Sequence, residues 1–315
     1  MSSSLQPKVY NLLDFNDFSE MLITKFNNKE PLFLSRFGGS DFEIIMSERY
    51  KTANKYELLL YIETVSNMNG YFDLEVDTDK KIINFKKYCE TLENIYFNQK
   101  IFTYCCDSTI VRIEKAINTS DVNKFLSHLM LQKIAISNYG FIEKIYPFLN
   151  LFKNIAENKK ILIISPFSAL VEEQYKNKNN LIKNYIYPDF ELITYSVPIT
   201  YNDTINTTHI NTKNNWLEQS AFMCEEITKI EFDIALISAG SYAMYLGDYI
   251  YMKMQKQSIY IGGVLNVLFN IYGKRYDTPF FNNIMNIPYQ IKNNVDINTI
   301  SGGKTHKSEA LLAYF

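Results

Sequence analysis

Between Phe232 and Asp277 the chain runs from an apolar segment through a small-residue turn into a helical pattern, and then repeats the sequence, which restricts it to a layered α/β fold. Ile234 to Ile237 is apolar at consecutive positions, as expected of a central parallel strand covered by helices on both faces. It ends in Ser238-Ala239-Gly240-Ser241, after which Ala243, Leu246, Ile250 and Met254 recur at helical spacing. A second short strand, Ser258 to Ile261, stops at Gly262-Gly263, and Val264, Leu265, Leu268 and Phe269 begin another helical stripe. Helix starts of this kind present free N–H groups and the positive end of the helix dipole, which suit a phosphate. Glycine lets such a ligand approach the backbone closely. Neither GxGxxG nor a Walker sequence is present, so a purely structural role for these glycines, as tight strand-to-helix turns, stays open.

Similar units precede this cassette. Leu32 to Leu34 reads as a buried strand leading to the turn Gly38-Gly39-Ser40, with Ser40 as N-cap and Glu43 in capping-box position. Residues 1–30 read as a polar tail and one amphipathic helix carrying Phe15, Phe18, Leu22 and Phe26. Helical stripes follow from about Lys55 to Asn98, interrupted at Gly70 to Asp79, then a strand at Lys100 to Tyr104 and a helix over Ser108 to Ala116. Ile161 to Ile164 forms a strand ending in Ser165-Pro166-Phe167, with a helix expected over Ala169 to Asn184 and a strand at Glu191 to Tyr195. The Asn- and Thr-rich segment Tyr201 to Asn214 reads as a loop long enough to act as a lid, and Trp216 to Ile227 as a helix. No linker or repeat divides the chain, so residues 1–315 are expected to form a single domain with 1–30 as a helical extension.

At 47% hydrophobic and 15% aromatic residues, the 315-residue chain can bury a substantial core. A formal charge of -2 argues against a nucleic-acid partner. Four cysteines without framework spacing fit a reduced, cytoplasmic protein, and no apolar run reaches membrane-spanning length.

The densest set of reactive groups is Arg36 to Glu43, at the end of a strand, where open α/β sheets bind ligands. Arg36 can contact phosphate bidentately. Asp41 and Glu43 can hold a hard cation, transfer a proton, or simply favour a helix N-terminus. Lys274 and Arg275 form a second basic pair that can neutralise a diphosphate, and Tyr242, beside the first cassette turn, can stack on a base. His128, His209 and His306 lack metal-ligand spacing, and Cys105-Cys106 reads as a buried pair.

The stretch RFGGSDFEII resembles the strand-turn-helix of the GT-D type (DxE-motif) glycosyltransferases, whose usual form is R-[YFI]-G-D-G-E-[FL]. DIALISAGSYAMYLGDYI with SIYIGGVLNVLFNIYGKRYD is similar to the C-terminal cassette of that family, KKILIISPFSALVEEQY to its central segment and HKSEALLAYF to its terminal motif. The resemblance implies a Rossmann-like three-layer α/β sandwich with a mostly parallel sheet. It also implies transfer of a sugar from a nucleotide sugar, expected to be a UDP-sugar, to a glycan or protein acceptor, with self-association left open. A divalent cation, Mn2+ or Mg2+, would assist at Asp41. In this register Arg36 matches the family's arginine and Asp41 its glutamate, while Gly39 stands where the family has its first acid. The resemblance carries over Arg36 and Asp41, and with Glu43, singled out from the residues themselves, they make up the candidate catalytic set. The candidate nucleotide-binding set adds Gly38, Gly39, Ser40, Ser165, Pro166, Phe167, Gly240, Ser241, Tyr242, Gly262, Gly263, Lys274 and Arg275.

Overall fold

The structure, a computed structural model, describes residues 15–38, 41, 44, 49–96, 102–105, 136–137, 145–201, 204–205 and 212–292. Its frame is a seven-stranded sheet in the order β3-β2-β1-β9-β8-β4-β5. The strands are β1 (Leu32–Phe37), β2 (Phe102–Cys105), β3 (Ile136–Ser137), β4 (Lys160–Ser165), β5 (Glu191–Ser196), β8 (Ile234–Ile237) and β9 (Gln257–Tyr260). Every pairing between neighbours in this sheet is parallel. A separate antiparallel pair, β6 (Thr200–Tyr201) with β7 (Thr204–Ile205), occupies part of the segment read as a loop.

Helices cover both faces, and the strands show why. Successive side chains on a strand point to opposite sides. Phe33, Leu162, Ile164, Ala235 and Ile237 pack into one core, while Leu32, Leu34, Ile161, Ile163, Ile234, Leu236 and Ile259 pack into the other. The first core is closed by α3 (Lys55–Asn69), α4 (Thr78–Tyr96), α7 (Trp216–Thr228) and α8 (Ala243–Met252), with the short α2 (Arg49–Thr52) beside them. The second is closed by α1 (Phe15–Asn27), α5 (Ile145–Ala156), α6 (Ser168–Tyr175) and α9 (Val264–Leu268), with α10 (Pro279–Ile284) at its edge. This is the three-layer α/β architecture expected, with a wholly parallel central sheet among the described residues.

Local chemistry fixes several boundaries. Asn54 caps α3 in a full capping box with Glu57, and Gly70 ends the same helix in the left-handed region at φ 81°. Pro147 is tolerated in α5 because it lies in the first turn, where its missing N–H has no intrahelical partner. Gly247 of α8 faces Phe33, and a Cβ there would overlap the ring, so this glycine sets how closely α8 approaches β1. The helix expected over Ala169 to Asn184 is shorter: α6 stops at Tyr175, and the Lys-Asn run that follows forms a 3-10 turn at Lys178–Asn180. Asparagine competes with the helical backbone for hydrogen bonds, which explains the early stop. The expected helix over Ser108 to Ala116, the three histidines, Cys106 and the terminal motif lie outside the described residues.

Topology also marks a place on the sheet. From β4 the chain turns through α6 on one face and moves outward to β5. From its neighbour β8 it turns through α8 on the opposite face and moves the other way to β9. Connections that diverge from adjacent strands leave a crevice at the carboxyl ends, where open α/β sheets bind ligands.

Candidate functional site

The carboxyl ends of β1, β9, β8 and β4 lie side by side and bring together most of the segments singled out from sequence. Three strand spacings separate β1 from β4, roughly 14 Å at the usual interval. Ser165 opens the β4 end; its Oγ accepts the Phe167 N–H at 3.1 Å, and both residues are buried. Pro166, between them, is half-buried. Across the crevice, the Ser238 N–H donates to the Ile164 carbonyl at 2.8 Å, tying the two turns together.

At the other end, β1 delivers Arg36 and Asp41. Arg36 is half-buried, and its guanidinium lies 5.8 Å from the centre of the Tyr260 ring. A Cβ on Gly262 would stand 2.5 Å from Arg36 Nη1, so the absent side chain makes room for the guanidinium against the β9 turn. Gly262 also has φ +55°, the left-handed region that favours glycine. The pairing of β1 with β9 therefore joins RFGG to IGGV, two segments more than 200 residues apart in sequence.

Asp41 is turned inward. Its Oδ1 accepts from Asn69 Nδ2 at 3.1 Å and its Oδ2 from the Tyr96 hydroxyl at 3.1 Å. The Gly38 N–H also donates to this carboxyl, and a Cβ on Gly38 would lie 2.9 Å from Oδ2. Burial pushes the Asp41 carboxyl up from its ordinary 3.8 to about 6; the Tyr96 hydroxyl, the Arg36 charge, the Gly38 N–H and the Asn69 amide restrain the rise. Tyr96 has one proton and two acceptors, since its hydroxyl also reaches the Arg36 carbonyl at 2.8 Å. When Asp41 is protonated it can donate to Tyr96, freeing the tyrosine proton for Arg36. When Asp41 is ionised, the two acceptors compete for that proton.

A second link runs through the end of α3. Asn69 holds Asp41 by its side chain, while the next carbonyl, of Gly70, accepts from Thr200 Oγ1 at 2.6 Å and Ser241 Oγ at 3.2 Å. A Cβ on Gly70 would come within 2.7 Å of the Thr200 carbonyl. The Asn69-Gly70 corner thus couples the Arg36–Asp41 group to the Gly240-Ser241 turn.

Several expected ligand contacts are already used inside the protein. The Gly262 N–H donates to the Ile237 carbonyl at 3.2 Å and is not available to a phosphate. Ser241 Oγ accepts from Trp216 Nε1 at 3.0 Å while it donates to Gly70. Tyr242 is buried, stacked on Trp216 at 6.0 Å with planes 2° apart, and bonded through its hydroxyl to Thr200, so its ring offers no face to a base. Gly240 takes φ +53° at its turn, and Gly263 is buried. Lys274 is exposed in a 3-10 turn, and the side chain of Arg275 lies outside the described residues, as do Gly39, Ser40 and Glu43.

The described residues around Asp41 do not fit a divalent ion. Mg2+ and Mn2+ want several open oxygen ligands. Here both carboxyl oxygens face N–H or O–H donors, and Arg36 adds positive charge beside them. Among the described residues no three His, Cys, Asp or Glu side chains gather into a metal-holding group.

Sequence reasoning missed Asn69, Gly70, Tyr96 and Thr200. Gly70 carried a signal, as a glycine directly after an apolar helical stripe. Tyr96 falls beside Leu92 and Ile95 and reads as packing, because periodicity reports burial of the ring and is blind to the hydroxyl.

No protein-family model and no curated protein matches the chain. Two solved structures align with it. One, the selenomethionine-substituted structure of domain of unknown function 1792, is 14% identical and covers 80% of this chain and 78% of that chain, with a TM-score of 0.44. The other, of the same domain and described as having a distinct glycosyltransferase fold, is 12% identical over the same shares, with a TM-score of 0.43. At these values the likeness carries no inference about activity or site residues. The fold and the site define an α/β protein with an open parallel sheet and a polar cluster at its carboxyl edge.

Proposed function

We propose that the chain is a glycosyltransferase that takes a sugar from a nucleotide sugar, a UDP-sugar first, and passes it to a glycan or protein hydroxyl. The observation that carries this reading is the meeting of Arg36 with the Gly262-Gly263 turn, in a row with the β8 and β4 turns at the topological crevice. The resemblance of RFGGSDFEII and the C-terminal cassette to the GT-D type supports it. In the reaction the bond between the anomeric carbon and the diphosphate oxygen breaks, and its electron pair stays on that oxygen. A bond forms from the same carbon to the acceptor oxygen, whose proton passes to a carboxylate of the Arg36–Glu43 segment, Asp41 or Glu43. Arg36 stabilises the charge that grows on the leaving diphosphate. Gly240-Ser241 and Gly263 border the path of the nucleotide.

A non-catalytic nucleotide-sugar binding protein is the second reading, favoured by the burial of Asp41 and by Gly39 in place of an acid. UDP-, GDP- and dTDP-sugars are to be screened by thermal melting and then by donor hydrolysis. A ligand at about a hundred times its Kd adds roughly 2.7 kcal/mol and should raise the melting temperature by several degrees. Stabilisation with turnover supports the transferase, stabilisation without turnover the binding protein, and no response to any nucleotide removes both.

A further inference from the structure

Resting on that nucleotide-binding reading, we infer that this chain holds the donor diphosphate with the Arg36 guanidinium and without a divalent metal. Three independent observations meet here. Asp41, the one acid left at the family's paired position, has its oxygens engaged by Asn69 Nδ2, the Tyr96 hydroxyl and the Gly38 N–H, and the residue is only 8% exposed. A metal would have to displace three donors that the fold supplies from the residue after β1 and from the ends of α3 and α4. Next, Arg36 stands in electrostatic contact with that carboxyl, so the position beside it already carries a fixed cation. Finally, Gly262 leaves open the volume that Arg36 Nη1 occupies at the β9 turn, which places a planar donor fork at the carboxyl edge of the sheet. The Tyr96 hydroxyl grips the Arg36 carbonyl at 2.8 Å and fixes the backbone from which the guanidinium extends. Tyr96 is then a positioning residue for Arg36, and the guanidinium does the charge neutralisation that a metal performs elsewhere.

The experiment uses the full chain and the nucleoside diphosphates UDP, GDP and dTDP, with binding followed by calorimetry in EDTA and again in Mn2+. The expected result is an affinity unchanged within about threefold between the two conditions. Arg36→Gln should weaken binding at least tenfold, and Arg36→Lys, which keeps the charge but loses the fork, should fall between. Melting curves of both variants report folding, and Arg36→Lys decides the matter if Arg36→Gln does not fold. Mn2+ titrated alone, followed by its electron paramagnetic resonance signal, should remain free at micromolar protein. Nucleotide binding that requires Mn2+, or stoichiometric Mn2+ uptake that Asp41→Asn abolishes, overturns the inference while leaving the transferase reading intact. Equal binding by wild type, Arg36→Lys and Arg36→Gln also overturns it. Failure of every nucleoside diphosphate to bind in both conditions overturns the transferase reading, and this inference falls with it.

Discussion

The two faces of the sheet bury cores of similar extent but different chemistry. The face under α1, α5, α6 and α9 is filled mainly by Leu, Ile, Val and Phe, with Tyr187 and Tyr276 buried among them, and polar groups such as Gln257, which donates to the Phe26 carbonyl at 3.1 Å, tie backbone at its edges. The face under α3, α4, α7 and α8 is built from hydroxyl- and indole-bearing rings: Tyr71, Tyr88, Tyr96, Trp216 and Tyr242, with Tyr88 edge-on to Trp216 at 4.6 Å. Of these rings, Tyr96 donates to Asp41, while Trp216 and Tyr242 connect through Ser241 and Thr200 to the Gly70 carbonyl, next to the Asn69 that holds Asp41. The mainly aliphatic face gains stability chiefly from packing, whereas the aromatic face also holds polar groups in defined positions beside Asp41, as a site requires.

The first way to test this contrast is to open a cavity on each side. Phe33→Ala on the aromatic face and Ile163→Ala on the aliphatic face should each lower unfolding free energy, by about 3–5 and about 2–5 kcal/mol, read by urea titration. Similar losses mean that packing energy is shared evenly and that only the polar groups distinguish the faces.

The second prediction isolates those groups. The folded-state pKa of Asp41, about 6, lies above its ordinary 3.8, so the native protein binds more protons than the unfolded chain between these values. Stability from this group is fully present below about pH 4, falls as pH rises through about 6, and is level above that. A shift of about two units corresponds to about 3 kcal/mol. Asp41→Asn removes the titration, so the stability of the variant relative to wild type should be about 3 kcal/mol more favourable at pH 8 than at pH 4. Urea titrations at the two pH values supply this difference directly, whatever Asn costs in packing. Parallel pH profiles would show that the carboxyl is solvated and break the comparison.

Smaller effects sharpen it. Ser241→Ala leaves the buried Trp216 indole N–H without its acceptor and should cost about 1–3 kcal/mol. Asn54→Ala, which removes the cap of α3 on the same face but far from the polar cluster, should cost about 1 kcal/mol and leave nucleotide binding untouched. A binding loss in Asn54→Ala would mean that α3 as a whole, and not the Asn69-Gly70 corner, positions the site.

Much of the frame was legible before any coordinates. β1, β4, β8 and β9 announce themselves because a parallel strand covered on both faces must be apolar at consecutive positions. α3 and α4 follow from their stripes and from the break at Gly70 to Asp79. The end of α6 was not legible, since apolar periodicity continues weakly past Tyr175 while the asparagines that stop it act through competing local hydrogen bonds. Nor was the β6–β7 pair, whose strands are two residues each and leave no period to detect.

The site divides in the same way. Sequence by itself determined the α/β layering, the turns at which a ligand can approach backbone, and the presence of Arg36 and Asp41 at a strand end, because these depend on residue type and local spacing. Only the tertiary structure decided that β1 lies against β9, that Arg36 fills the space left by Gly262, and that Tyr96 and Asn69 enclose Asp41. Those facts depend on strand order and on side-chain hydroxyl and amide placement across distant segments. Neither leaves a period in the chain, so the availability of Asp41's oxygens could be read only from the packed molecule.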